Sequence, residues 1–154
     1  MWELVHPEMA LEMADDLAEA QEMINAGETE VAVDELRWLV SECRDAIESH
    51  YLLGEIAFEA LDFRLARGHF GYAVELGWSA LPAAGVGGKL SYTLPANKAF
   101  LQSAKGLAYC LGELKKPKTA VAVARELASW DAADPLGAAM LIEKWSTKPP
   151  EDAP

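Results

Sequence analysis

The sequence predicts an all-α protein made of antiparallel helical hairpins. Apolar residues recur at spacings of three and four along most of its 154 residues. Alanine, leucine, glutamate and methionine, strong helix formers, are abundant. No segment shows the alternation of period two that a half-buried strand requires. With 51% hydrophobic and 25% charged residues, the chain has the composition of one globular domain with its own core. That composition excludes a disordered chain and a disulfide-held miniprotein.

The first helix is expected from Pro7, a residue suited to position N1. Met9, Met13, Leu17, Ala20, Met23 and Ile24 form its apolar stripe, and Asn25-Ala26-Gly27 stops it. A second helix spans 29–43, with Val33, Leu36, Leu39 and Val40 on its buried side. A third covers 46–60, Leu61-Asp62 breaks the chain, and a fourth covers 63–76 and ends at Gly77. Residues 79–96 depart from this pattern: 79–88 are small and turn-rich, and 89–94 suit an extended run before Pro95. A loop this long inside a compact chain is functional or flexible. Helices resume over 96–111 and 119–130, joined by a turn at 112–117. Asp134 is expected to cap a last helix that has Pro135 at its first position and runs to Trp145. The proline-rich end, 148–154, is expected to be a disordered tail.

The net charge is −12. Residues 1–60 hold sixteen acids against Arg37 and Arg44, net −14, and the rest hold nine acids against eleven bases, net +2. Such a chain repels phosphate backbones and anionic membrane surfaces. Its acids either solvate the helix faces or select a basic partner. The start, Met1 to Glu8, has no basic region or apolar run of a signal peptide. No stretch approaches the roughly 18 apolar residues of a membrane span. Cys43 and Cys110 make neither a disulfide framework nor a metal quartet. A reduced, cytoplasmic protein without cofactor or metal is expected.

The helix pairs also carry an internal pattern. Leu53-Gly54 is followed by Ala66, twelve residues after the glycine, then by Phe70 and Ala73. This resembles the tetratricopeptide repeat, whose 34-residue signature has leucine-glycine in its first helix and alanine and phenylalanine in its second. His50 stands in the tryptophan place, Ala57 in the tyrosine place, and Trp78 where proline is usual. In the first pair Ala20 and Ala32 are again twelve apart, Leu36 follows, and Ala32 to Ala66 is 34 residues. In the third pair Gly106 and Tyr109 fit the first helix, and Ala120 and Ala124 the second. Gly106 to Ala120 is fourteen, so two extra residues are assigned to that turn. Ala66 to Ala120 is 54, an excess of 20 that falls in the 79–96 insertion. The resemblance implies one domain over 1–147, with repeats at about 8–44, 45–78 and 97–134 and a capping helix at 135–146. These would stack as a short right-handed superhelix. Its packing positions would be Ala20, Ala32, Leu53, Gly54, Ala66, Phe70, Ala73, Gly106, Tyr109, Ala120 and Ala124, small where helices cross closely.

In that family the first helix of each repeat lines a concave, peptide-binding groove. Carried over, the resemblance places Leu17, Gln21, Ile24, Tyr51, Leu52, Glu55, Phe58, Glu59, Phe100, Ser103, Leu107 and Cys110 towards a groove. Spacing alone puts Glu48, Tyr51, Leu52, Glu55 and Glu59 on one helix face. Carboxylates beside aromatic rings suit a peptide or helix with basic and apolar residues. The expected function is a non-catalytic protein-binding scaffold or adaptor. The alternative is self-assembly, with the −14 and +2 halves pairing head to tail and Trp145 at the interface. Size, repeat number and acidity are also similar to the small chaperones of type III secretion translocators.

The basic clamp with which one subtype holds an acidic carboxyl terminus is absent: Leu17, Gln21, Leu52, Phe100 and Ala104 occupy its places. The run from Gly85 to Leu90 lacks a phosphate loop's first glycine, being Ala83 there, and its hydroxyl, being Leu90. His50 is expected to be partly buried, His69 exposed, and no nucleophile–base pattern points to an enzyme. The insertion at 79–96 is a candidate lid over the groove.

Overall fold

A computed structural model describes residues 1–147, and the expected tail at 148–154 lies outside them. Among the described residues there are eight helices and no strand, only two isolated β-bridges. The helices are α1 (Glu8–Glu12), α2 (Ala14–Asn25), α3 (Thr29–Glu42), α4 (Ile47–Glu59), α5 (Phe63–Ser79), α6 (Pro95–Glu113), α7 (Pro117–Trp130) and α8 (Ala138–Ser146). Each packs on the next in sequence. In addition α4 packs on both α2 and α6, and α6 on α8. No helix among the described residues is long and apolar enough to cross a membrane.

The turns α2–α3, α4–α5 and α6–α7 share one geometry. Each has three residues, and the middle one is left-handed: Gly27 (φ 80°), Leu61 (φ 59°) and Lys115 (φ 67°). In each, two amides bond back into the preceding helix as a Schellman motif does: Glu28 N–H to Met23 O and Gly27 N–H to Ile24 O, then Asp62 to Ala57 and Leu61 to Phe58, then Lys116 to Leu111 and Lys115 to Gly112. The third turn therefore holds no extra residues. The expected two-residue excess came from pairing Gly106 with Ala120. Ala108, fully buried against α7, stands twelve before Ala120, as Ala20 does before Ala32 and Gly54 before Ala66. A left-handed side chain costs about 1–2 kcal/mol where glycine costs nothing. Leu61 is 72% exposed and Lys115 is exposed, so little burial offsets that cost. Leu61→Gly and Lys115→Gly are each expected to raise Tm by about 2–4 °C in a calorimetric scan.

Small residues set the helix approaches. Phe70, 1% exposed, lies between Gly54 of α4 and Gly106 of α6. Gly77 faces the ring of Phe100, and Gly112 faces Trp145. Gly77 is thus not the expected helix stop: α5 runs through it to Ser79, because the missing Cβ makes room for a ring from α6. Of the expected packing positions, all are buried except Gly106 and Tyr109, which are half-buried. Trp145 is buried on Gly112 within the chain, so it is not available as an interface residue.

Other boundaries differ for local reasons. The single first helix breaks at Met13, whose buried side chain joins Leu17 and Ala20 while Met9 stays exposed. Pro7 precedes α1 rather than opening it. The last helix starts at Ala138, not Pro135. Gly137 occupies the cap position without a side chain, and the Asp134 carboxylate reaches the amides of Ala138 (2.6 Å) and Ala139 (3.0 Å) instead.

The 20 residues that separate the second hairpin from a 34-residue spacing are built into structure. α5 has 17 residues against 14 in α3, and α6 has 19 against 13 in α4; the remaining eleven are the excess of 80–94 over the four-residue link 43–46 between α3 and α4. Val86 and Leu90 are buried with Leu4, Phe100, Leu101 and Trp130. The Leu90 amide donates to Trp130 O (2.9 Å), that of Ala132 to Gly88 O (3.0 Å), and that of Tyr92 to Asp131 Oδ2 (2.8 Å). This segment builds a core rather than a free loop. It also seats the chain's start: Trp2 N–H donates to Lys89 O, and buried Asn97 accepts from Leu4 N–H.

Candidate functional site

The helix face that carries Glu48, Tyr51, Leu52, Glu55 and Glu59 opens onto three depressions formed with α2 and α6. The largest, about 540 Å³, lies between α2 and α4 and is lined by Gln21, Ile24, Thr29, Tyr51, Leu52, Glu55, Ile56 and Glu59. The second lies between α4 and α6 and shares Glu55 with it, adding Phe58, Phe70, Gln102, Lys105, Gly106, Tyr109 and Leu136. The third, between α1, α2 and the starts of α4 and α6, is lined by Leu17, Ile47, Glu48, Pro95 and Ala99 among others, with His6 at its edge. Their apolar lining comes from Leu17 and Ile24 of α2, Tyr51, Leu52, Ile56 and Phe58 of α4, and Ala99 and Tyr109 of α6.

Of the expected groove residues, Gln21, Glu48, Tyr51, Leu52, Glu55, Phe58 and Glu59 line these depressions, as do Leu17 and Ile24. Phe100 and Ser103 do not. Both are completely buried, Phe100 against Gly77 and Trp130, on the opposite side of α6. Cys110 is also fully buried beside Phe70, and burial pushes its thiol up to about 12. Leu107 packs between clusters and lines none of the three. The error follows from the register of α6. With Ala108 equivalent to Gly54, positions 48, 51, 52 and 55 correspond to 102, 105, 106 and 109. Gln102, Lys105, Gly106 and Tyr109 are the residues that α6 contributes to the second depression. The twelve-residue spacing from Ala108 to Ala120 was the signal that would have found them.

The carboxylates differ in freedom. Glu48 and Glu59 are exposed. Glu55 is half-buried and accepts the Tyr51 hydroxyl proton at 2.5 Å. Burial, and then that bond, raise the Tyr51 pKa above its ordinary value. Lys105 makes the α6 side cationic, and the carboxylates that line the three depressions, Glu48, Glu55 and Glu59, are all on α4. Of the insertion expected at 79–96, only Pro95 and Ala96, in the first turn of α6, line one of the three depressions; residues 79–94 line none and so do not cover them as the expected lid. Tyr92 alone reaches the rim, where Gln102 Nε2 donates to its hydroxyl at 2.8 Å.

No protein family, curated protein or solved structure matches the chain.

His50 and His69 lie on the other side of α4. His50 is buried, its Nε2–H donates to Arg44 O at 2.7 Å, and its ring stacks on Tyr72 at 4.3 Å. His69 is half-buried, not exposed as expected, because its turn of α5 faces α3 and α4. Burial is the main reason both have lowered pKa values.

Proposed function

We propose that the chain is a tetratricopeptide-like, non-catalytic interaction module whose trough on α2, α4 and α6 holds a peptide or helix bearing basic and apolar residues. The carrying observation is that Glu55 and Glu59 line two depressions that share Glu55 and are floored by Leu52, Ile56 and Phe58, and that Glu48, on the same face of α4, lines a third beside Leu17 and Ile47. Apolar contacts supply affinity there, and the carboxylates select charge. Three features support the family reading: twelve-residue spacings in three hairpins, three turns of one geometry, and the packing of α4 on both α2 and α6. The preformed floor lets a ligand bind without first ordering the site. Lys105 orients it, repelling basic residues from the α6 end.

The test is selection of a phage-displayed library of random twelve-residue peptides on the full chain. Peptides that combine Lys or Arg with apolar residues should be enriched. A Glu48→Lys/Glu59→Lys variant should bind the leading peptide roughly tenfold or more weakly by fluorescence anisotropy. Glu55 is left intact in that variant because Tyr51 depends on it, and circular dichroism checks the fold. Enrichment without basic residues, or equal binding to the variant, overturns the reading. Salt-sensitive self-association lost in the variant, with no peptide enriched, moves the assignment to self-assembly.

A further inference from the structure

α3 and α5 both pack on α4 but not on each other, and a cleft of about 400 Å³ lies between them, on the face of α4 opposite the acidic trough. Its apolar floor includes Val40, Leu53 and Tyr72. Arg37 and Arg64 rim it, and it runs on along α5 past Arg67 and Gly71 to Glu75. No carboxylate lines the cleft proper. Asp45 acts electrostatically on His50, which lines the cleft, and Glu75 lines its α5 end. His69 feels Arg37 and His50, both of which disfavour its charged form. In a chain of net charge −12, three guanidiniums gathered over an apolar floor form a local reversal of sign.

The second observation is Gly68, in the middle of α5 and exposed at this cleft. Glycine inside a helix is unfavourable relative to alanine. Gly54, Gly77 and Gly106 have a neighbouring ring that excludes a Cβ; Gly68 has nothing within 4 Å of one. The fold gives no steric reason for this glycine. A ligand whose backbone lies directly against α5 gives one.

We propose that the α3/α5 cleft is a second docking site, for an extended acidic peptide segment of a partner protein. Its carboxylates pair with Arg37, Arg64 and Arg67, an apolar side chain enters between Val40 and Tyr72, and its backbone passes over Gly68. Guanidinium forks suit carboxylates geometrically, and the apolar floor calls for a side chain that a free anion lacks. The site is independent of the trough and opposite in charge preference.

The same display library, selected on the full chain, should yield a second pool rich in Asp and Glu with an apolar residue. Its leading synthetic peptide should bind Gly68→Ala roughly tenfold or more weakly, even though that substitution raises Tm by about 2–4 °C. Arg64→Glu/Arg67→Glu should abolish that binding, and Glu48→Lys/Glu59→Lys should leave it intact. The basic pool should show the reverse pattern, so either site can fail alone. The proposal is overturned if no acidic pool emerges, or if Gly68→Ala binds the peptide undiminished. It is equally overturned if Gly68→Ala lowers Tm, which would give the glycine a structural role. Displacement by inorganic phosphate beyond that by sodium chloride of equal ionic strength would assign the cleft to a free anion instead. Concentration-dependent dimerisation lost in the arginine variant, with no peptide bound, would assign it to a second copy of the chain.

Discussion

Phe70→Ala is expected to destabilise the protein by about 3–5 kcal/mol, and to reverse the sign of a second substitution. The Phe70 ring is 1% exposed and is gripped from two sides. A Cβ added at Gly54 would stand 2.5 Å from its Cδ1, and one at Gly106 2.6 Å from its Cε2. Neither distance is tolerable, so Gly54→Ala in the native background must push α4 away from α5 or force the ring off its rotamer, at about 1–3 kcal/mol. In the Phe70→Ala background the obstacle is gone. There the same substitution fills part of a cavity and removes a helix-interior glycine, which is worth about 1 kcal/mol in its favour. A double-mutant cycle from urea titrations should therefore give a coupling of about 2–4 kcal/mol between positions 54 and 70. Gly106→Ala should couple to Phe70 in the same direction. If Gly54→Ala costs the same in both backgrounds, the ring does not set the α4–α5 approach. The total stability of such a domain is only about 5–15 kcal/mol. One ring and two absent methyl groups thus govern how α4, α5 and α6, the middle of the chain, are held.

That arrangement was legible from spacing because its parts are close in sequence. Gly54, Ala66 and Phe70 fall within one hairpin, and helix period with turn length fixes which of them meet. Legibility fell where a small residue had two explanations. Gly77 near the end of a periodic run reads as a stop, and only the Phe100 ring, brought from another helix, shows it to be a crossing point. On α6 the chain offers both Gly106 and Ala108. The glycine looks like the match to Gly54, yet it meets Phe70 of the preceding hairpin, while Ala108 faces its own partner helix. The turn would have decided between them, but its left-handed position holds Lys115 rather than a glycine, so nothing in the sequence marked it. The candidate sites divide in the same way. Glu48, Glu55 and Glu59 lie on one helix, and period alone aligns them. Arg37 and Arg64 belong to different helices, and only packing on α4 brings them to one cleft.

Asn97 concerns the contact least visible in the sequence, and Asn97→Ala is expected to cost about 2–4 kcal/mol. The side chain is completely buried at the first turn of α6 and makes three hydrogen bonds. Its Oδ1 accepts from Leu4 N–H at 2.8 Å, and its Nδ2 donates to Trp2 O at 3.0 Å and to Ser91 O at 2.9 Å. One amide thus ties together the chain's start, the insertion and α6, across 93 residues of sequence in the first case. Alanine leaves the Trp2 carbonyl and the Leu4 amide without partners, whereas Ser91 O still accepts from Leu94 N–H, and the first two regain partners only if residues 1–7 lift off into water. Hydrogen exchange should therefore quicken first at the amides of Trp2 and Leu4 and then at Leu90, with α2 to α5 unchanged. Asn97→Asp is the sharper probe, since a carboxylate would face two carbonyl oxygens. Its folded-state pKa is raised above the unfolded value near 3.9, so the folded form favours the protonated carboxyl, which can donate to one carbonyl. The deficit relative to the native chain should be greatest at pH 7 and narrow as the pH is lowered towards 4. A deficit that is flat across that range would mean that the 97 side chain does not face those carbonyls. The consequence reaches the trough. His6 Nε2–H donates to Ala96 O at 2.7 Å and holds the edge of the depression beside Glu48. Releasing residues 1–7 removes that edge while Glu55 and Glu59 stay in place, so Asn97→Ala should weaken a trough ligand only as far as the ligand extends past Glu48.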